Sequence, residues 1–156
     1  VLGRDIMRKC ILLIMSVALV IAMAACGEVK LQLIKLDLAT EVVGINNYKH
    51  AISNTFTKGE KFFIYAQVDG FTSDQVGEKY VSWPIQTIKV RDANDTLLMA
   101  QDICKDKREF DQPTTEFALP AELSLSGDKG VYHIDVIIED GITGERIFEQ
   151  LAIQIE

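Results

Sequence analysis

Tryptophan occurs once in this 156-residue chain, histidine twice, and proline and cysteine three times each. Each scarcity removes a class of protein. Two histidines, His50 and His133, with no cysteine–histidine spacing suited to zinc, leave no tetrahedral metal site legible. His133 and Asp135 share one strand face, about 7 Å apart, which reads as two solvated polar residues or as half a metal or proton-relay site. No third ligand accompanies them. No G-x-S-x-G elbow is present for a serine nucleophile, and no G-x-G-x-x-G or phosphate loop for a nucleotide. The acids of Asp92-Ala93-Asn94-Asp95 suggest calcium, but the sixth and twelfth positions counted from Asp92 are Leu97 and Ile103, where an EF-hand needs Gly and Glu. Turn chemistry explains them. Acids are too many for pattern to single out a glycosidase pair, and short loops offer little cleft. A hydrolase is therefore the weakest of the functional readings.

One long uncharged run is present, Cys10–Ala25, preceded by Arg8 and Lys9 and closed by Ala22, Ala24 and Ala25. This is the three-part pattern of an export signal. Sixteen residues span about 24 Å as a helix, short of the twenty or so that a permanent span needs. The run thus reads as a transient helical signal segment, residues 1–25. Val1–Ile6 stand before a natural start at Met7 and receive no structural role. Removing residues 1–25 takes away a net charge of +2, so the remainder carries −9 where the whole chain carries −7. Such a domain is repelled by phosphate backbones and anionic lipid, and nucleic acid is not an expected partner.

Met23-Ala24-Ala25-Cys26 resembles the lipobox of bacterial lipoproteins, with Met23 where Leu is usual. The resemblance implies a diacylglyceryl thioether on Cys26, cleavage before it, and a lipid-anchored envelope protein on the cell membrane or outer membrane, facing the periplasm or exterior. Ala22-Met23-Ala24 also fits an ordinary cleavage site, and an uncleaved anchor is a third reading. Residues 26–30 form a short tether. With Cys10 removed and Cys26 lipidated, only Cys104 remains, so no internal disulfide forms; an unlipidated Cys26 would leave a Cys26–Cys104 bridge open. Cys104 reads as a small buried apolar residue, or as a reactive thiol with only Lys105 and Lys107 nearby to activate it.

About 130 residues remain, the size of one domain, and residues 31–156 read in strands. Ile34, Leu36, Leu38 and Val42 share one face of the first. Gly44–Asn47 is a turn, with His50 in the loop beyond it. Ala51–Phe56 is a short strand. Phe62, Ile64, Ala66 and Val68 point inward on the next. Phe63 and Tyr65, on its nominal outer face, are either covered by a loop or the first strand, or form a partner-binding patch. Phe71–Lys79 is a loop. From Tyr80 to Asp92 the apolar parity changes between Ile85 and Ile88, which predicts a β-bulge near Gln86–Thr87, and Pro84 predicts that this part of the strand lies at an edge or at the bulge. A hairpin at 92–95 leads to Leu97–Cys104. Lys105–Thr115 is a loop, Pro120 ends a short strand, and Ala121–Ser126 forms a helical turn. Val131–Glu139 is the clearest strand, and Ile147, Leu151, Ile153 and Ile155 line the last.

Seven or eight such strands argue an all-β, antiparallel sandwich in a single domain. The Gly130–Asp140 run, Thr143-Gly144-Glu145 and the final alternating strand resemble the closing hairpin of immunoglobulin-like domains in bacterial surface proteins, without the Cys…Trp…Cys core of antibody domains. The expected function is a non-catalytic interaction module meeting an envelope protein partner through Phe63, Tyr65, Tyr80 and Trp83, with no cofactor. The alternative is capture of a small ligand, glycan or cation by the loops at Asn46–His50 and Phe71–Lys79.

Overall fold

The computed structural model describes residues 30–156. The expected export segment, Cys26 and the tether through residue 29 lie outside the described residues. All regular structure among the described residues is β, in twelve strands. They are β1 (Gln32–Gly44), β2 (Asn47–His50), β3 (Thr55–Phe56), β4 (Lys61–Asp69), β5 (Asp74–Val76), β6 (Lys79–Ser82), β7 (Pro84–Arg91), β8 (Leu97–Cys104), β9 (Arg108–Phe110), β10 (Phe117–Ser124), β11 (Gly130–Asp140) and β12 (Arg146–Ile155). Nine of them build two sheets, in the orders β10-β4-β1-β2 and β3-β12-β11-β7-β8, and β5-β6-β9 forms a small third. The fold is a sandwich, as expected. The strand count exceeds seven or eight because short strands occupy stretches expected to be loops, and one pair, β12 with β3, is parallel.

The core is the layer between the two large sheets. Phe62, Ile64, Ala66 and Val68 of β4 and Phe117, Leu119, Ala121 and Leu123 of β10 meet Ile88, Val90, Tyr132, Ile134, Val136, Ile138, Ile153 and Ile155. Each fully buried Val, Leu, Ile or Phe among them contributes roughly 1.5–3 kcal/mol. Period-2 alternation on β4, β10 and β11 puts these residues on one side. Gln86 is also buried here, and its Nε2 donates to the Leu119 carbonyl across the sheets at 3.2 Å.

Several expectations need correction. Ile34 is 51% exposed, because the β1–β4 register shifts between Leu33 and Lys35 and turns Ile34 outward; Leu33 packs on the core instead. The turn at Gly44–Asn47 is present, with Asn46 at φ 55°, but His50 lies on β2 rather than in a loop. The strand expected at Ala51–Phe56 shrinks to Thr55–Phe56. The loops expected at Phe71–Lys79 and Lys105–Thr115 contain β5 and β9, paired through β6.

The irregularity expected near Gln86–Thr87 is there, but the extra residue is Ile103 on the partner strand, since Gln86 pairs with Cys104 and Thr87 with Asp102. The parity change has a second source. The chain leaves the small sheet at Trp83 and enters the large one at Pro84. β7 is an interior strand, but its ladder to β8 begins only at Gln86, so Pro84, its first residue, has a partner on the β11 side alone and its missing N–H is tolerated. Pro120 does not end β10, which is an edge strand with room for it. The helical turn expected at Ala121–Ser126 is strand as far as Ser124.

Gly70 closes β4 against the start of the described chain. Its φ is +88°, and a Cβ there would lie 2.2 Å from the Lys30 carbonyl oxygen. Gly70→Ala should therefore cost at least about 2 kcal/mol in urea unfolding, combining left-handed strain with backbone overlap.

Candidate functional site

One end of the sandwich gathers the β4–β5 loop, the segment before β10 and the β11–β12 turn. Asp140, 1% exposed, organises it. Its carboxylate accepts the backbone N–H of Ile142 at 2.8 Å and that of Thr72 at 2.7 Å, 68 residues away. Its own carbonyl accepts the Gly144 N–H and closes the turn. The β4–β5 loop is tied in turn to the segment before β10: Phe71 N–H donates to the Thr115 carbonyl and Thr114 N–H to Ser73 Oγ, both at 3.1 Å.

Trp83 stands beside this turn. Its indole N–H donates to the Lys105 carbonyl at 2.7 Å, and Lys107 Nζ lies 4.9 Å from the ring centroid, a cation–π contact. The ring approaches the chain so closely that a Cβ on Gly141 would meet Trp83 Cδ2 at 2.4 Å. Trp83 is therefore a packed post more than an open anchor.

Two grooves flank the turn. The larger, about 550 Å³, runs past Lys30, Thr72, Ser73, Thr115, Thr143 and Glu145. The smaller, about 290 Å³, lies among Asp74, Val76, Val81, Trp83, Lys107 and Ile142. Val76 is 61% exposed at its rim. Tyr80 pairs across the small sheet with Phe110, which packs on the core, so its ring is half-buried and does not line this groove.

The other sequence-selected pair lies elsewhere. Phe63 and Tyr65 are on β4 in the four-stranded sheet. Phe63 is half-buried and Tyr65 fully buried, so Tyr65 offers no surface in this state. Its cover is the β1–β2 hairpin: Tyr48 stacks on Tyr65 with centroids 4.0 Å apart. Asn46 N–H donates to the Tyr65 hydroxyl at 2.9 Å, and that hydroxyl donates to Gln67 Oε1. The Tyr48 hydroxyl donates to the Asp37 carboxylate, with His50 Nδ1 3.8 Å from the same oxygen. Burial, followed by the hydrogen bond and negative charge of Asp37, pushes the Tyr48 phenol up to about 12. Nothing in the sequence spacing signalled this cluster, because Tyr48 reaches Tyr65 only after β1 bends.

The remaining candidates are structural in form. His133 is half-buried, while Asp135 turns to Arg91 Nε at 3.2 Å and Gln150 Nε2 at 2.8 Å. Burial alone would raise the Asp135 carboxyl, but the Gln150 amide and the Arg91 guanidinium hold it below its ordinary value. Cys104 is half-buried, and an arginine lies beside it after all: Arg108 Nη2 is 3.1 Å from its sulfur. Among the described residues no three His, Cys, Asp or Glu side chains come together to hold a metal ion, and no helix is long and apolar enough to cross a membrane.

No protein-family model matches the chain, and no curated protein matches it. Its likeness is to solved structures. The C-terminal domain of wzt superposes with a TM-score of 0.57 at 8% identity, over 83% of this chain and 75% of that one. That similarity is one of fold. The Pseudomonas fluorescens alkylpurine DNA glycosylase AlkC bound to DNA containing an abasic site analog aligns at 9% identity and a TM-score of 0.46, over 86% of this chain and 33% of that one. A Bacteroides uniformis beta-glucuronidase aligns at 10% identity and 0.40, over 80% and 13%.

Three outcomes are expected. Asp140→Ala strands two backbone donors and should cost about 2–4 kcal/mol in urea unfolding. In an ultraviolet tyrosinate titration, Tyr48 should ionise near pH 12, and Tyr48→Phe should delete that step. Because the folded state holds this proton more tightly than the unfolded state, its stabilising contribution is complete below pH 10. It should fall as pH rises from about 10 to about 12, and Tyr48→Phe should flatten that decline.

Proposed function

We propose that this chain is a membrane-anchored cell-envelope lipoprotein. Its sandwich would act as a non-catalytic binding module that meets an envelope protein through the Trp83 end. The observation that carries this reading is where the described chain enters the fold. Lys30 is the last residue of the tether that follows Cys26, and it forms part of the wall of the larger groove. Leu31 N–H then donates to Glu145 Oε2 at 3.2 Å and fixes that entry beside the β11–β12 turn. An anchor at Cys26 would therefore hold both grooves close to the bilayer, within reach of a membrane-embedded partner. The charge of −9 outside the signal segment favours a protein over an anionic lipid surface as the thing recognised. The smaller groove offers apolar side chains with one acid and one base at its margin, a surface suited to an extended segment of another chain.

A second reading has its own observation. The larger groove carries the hydroxyl side chains Thr72, Ser73, Thr115 and Thr143 with Lys30 and Glu145, a lining suited to a polyol or glycan. Thermal-shift titration against a panel of sugars tests it, and a flat response removes it.

For the first reading, Cys26→Ala should move the protein from the membrane to the soluble fraction and abolish acyl label at the mature N-terminus. Val76→Asp, at an exposed position, should change stability by no more than about 0.5 kcal/mol while reducing recovery of a cross-linked partner about tenfold. A mature chain without acyl mass at Cys26 would overturn the anchor. Unchanged cross-linking in Val76→Asp would overturn the choice of surface.

A further inference from the structure

We infer that the β1–β2 hairpin is a strap that opens independently of the sandwich and uncovers the Tyr65–Gln67 face of the four-stranded sheet. The inference does not depend on the lipid anchor or on the Trp83 end.

Geometry gives the first argument. β1 lies between β2 and β4, with Tyr48 paired to Val42 and Tyr65 paired to Asp37. In a flat sheet those two rungs are five residues apart, about 16 Å along the strand. The rings nevertheless stack at 4.0 Å. β1 must therefore turn back over its own sheet, and the β1–β2 register shifts between Ala39 and Glu41 and between Val42 and Gly44 mark where it bends. Lys35 Nζ reaches Asn46 Oδ1 at 3.3 Å across the fold-back.

Burial gives the second. Ala39, Tyr65 and Gln67 are nearly or wholly inaccessible, at 0%, 0% and 3%. Yet Tyr65 and Gln67 lie on the side of β4 opposite Ile64 and Ala66, away from the inter-sheet layer. The strap seals them with little apolar surface of its own. No residue from 40 to 50 belongs to the hydrophobic core or packs against it. Val43 is 68% exposed and Ile45 46%, and Asn46, Asn47, Lys49 and His50 are exposed as well. Only Val42, Gly44 and Tyr48 are half-buried.

The remaining fastenings are polar: Tyr48 to Asp37, Asn46 to Tyr65, Lys35 to Asn46, and His50 near Asp37. Water can replace each of these, so releasing them costs far less than exposing the inter-sheet layer. When the strap lifts, the Tyr65 hydroxyl and ring, the Gln67 amide and the Asp37 carboxylate come to the surface. In the closed form Tyr48 covers the face of the Tyr65 ring. The strap is thus the movable part and the sandwich beneath it the fixed one.

Native-state hydrogen exchange on the full chain tests this, with denaturant as the second variable. Amides of residues 41–50 should be at least about a hundredfold less protected than those of β11, and their exchange should be nearly independent of denaturant. Tyr48→Ala should raise exchange in 41–50 by about tenfold or more. It should also make Tyr65 available to tetranitromethane nitration, located by peptide mass, with β11 and β12 protection within about twofold of wild type. Tyr48→Phe, which keeps the stack and loses the Asp37 bond, should fall between. The inference is overturned if wild-type amides 41–50 share the protection and denaturant dependence of β11. It is also overturned if Tyr65 nitration is the same in Tyr48→Ala as in wild type.

Discussion

β4 is buried on both of its faces, and the architecture follows from that constraint. One face supplies Phe62, Ile64, Ala66 and Val68 to the layer between the sheets. The other carries Tyr65 and Gln67, which need both a cover and hydrogen-bond partners once water is excluded. An antiparallel sheet in a small sandwich normally leaves one side to solvent. Here the outer side is closed by chain that the sheet itself supplies, through the bend in β1. The hydrogen bond from Tyr65 to Gln67, and from Gln67 Nε2 to Glu116 at 2.5 Å, then satisfies the polar groups that the cover has sealed in.

The opposite design governs the Trp83 end. There the chain passes from a three-stranded sheet to a five-stranded one within two residues, Trp83 and Pro84. An indole fills the corner and a proline begins the new ladder where no N–H is wanted. Gly141 leaves room for the indole, and Asp140 beside it holds two loops from distant parts of the chain. The grooves are thus by-products of a rigid corner. Their walls are set by hydrogen bonds, most of them part-buried, while their rims, Val76 and Lys107 among them, are exposed.

Much of this was legible in the sequence. The rows on β4, β11 and β12, the turns at 44–47, 92–95 and 140–145, and the irregular step near Gln86 all follow from alternation and turn chemistry, which are local. The failures are equally physical. Ile34 kept the right parity for a regular strand, and only the register shift against β4 turned it outward. Pro120 reads as a terminator until β10 is known to be an edge. The strands β5 and β9 are three residues each, too short to carry a period, and exist because β6 lies between them. At the candidate site, Trp83 was legible as a lone large aromatic beside a proline. Asp140 was not, because its carboxylate serves Thr72, far away in sequence. Tyr65 was read as a choice between covered and exposed, and Tyr48 decides it.

The position of β1 also governs how the domain bears a load. The two residues before it are pinned, Leu31 to Glu145 and Lys30 against Gly70, and the strand then forms a ladder with β4 from Gln32 through Ala39. Tension applied at Lys30, from whatever precedes it, would be directed along that strand. The rungs would share it in shear, whereas a pull across the strand would unzip them singly. A sandwich entered along a strand laddered to its central β4 is thus built to resist being pulled from that end, with its rate of yielding set by the unfolding barrier rather than by net stability.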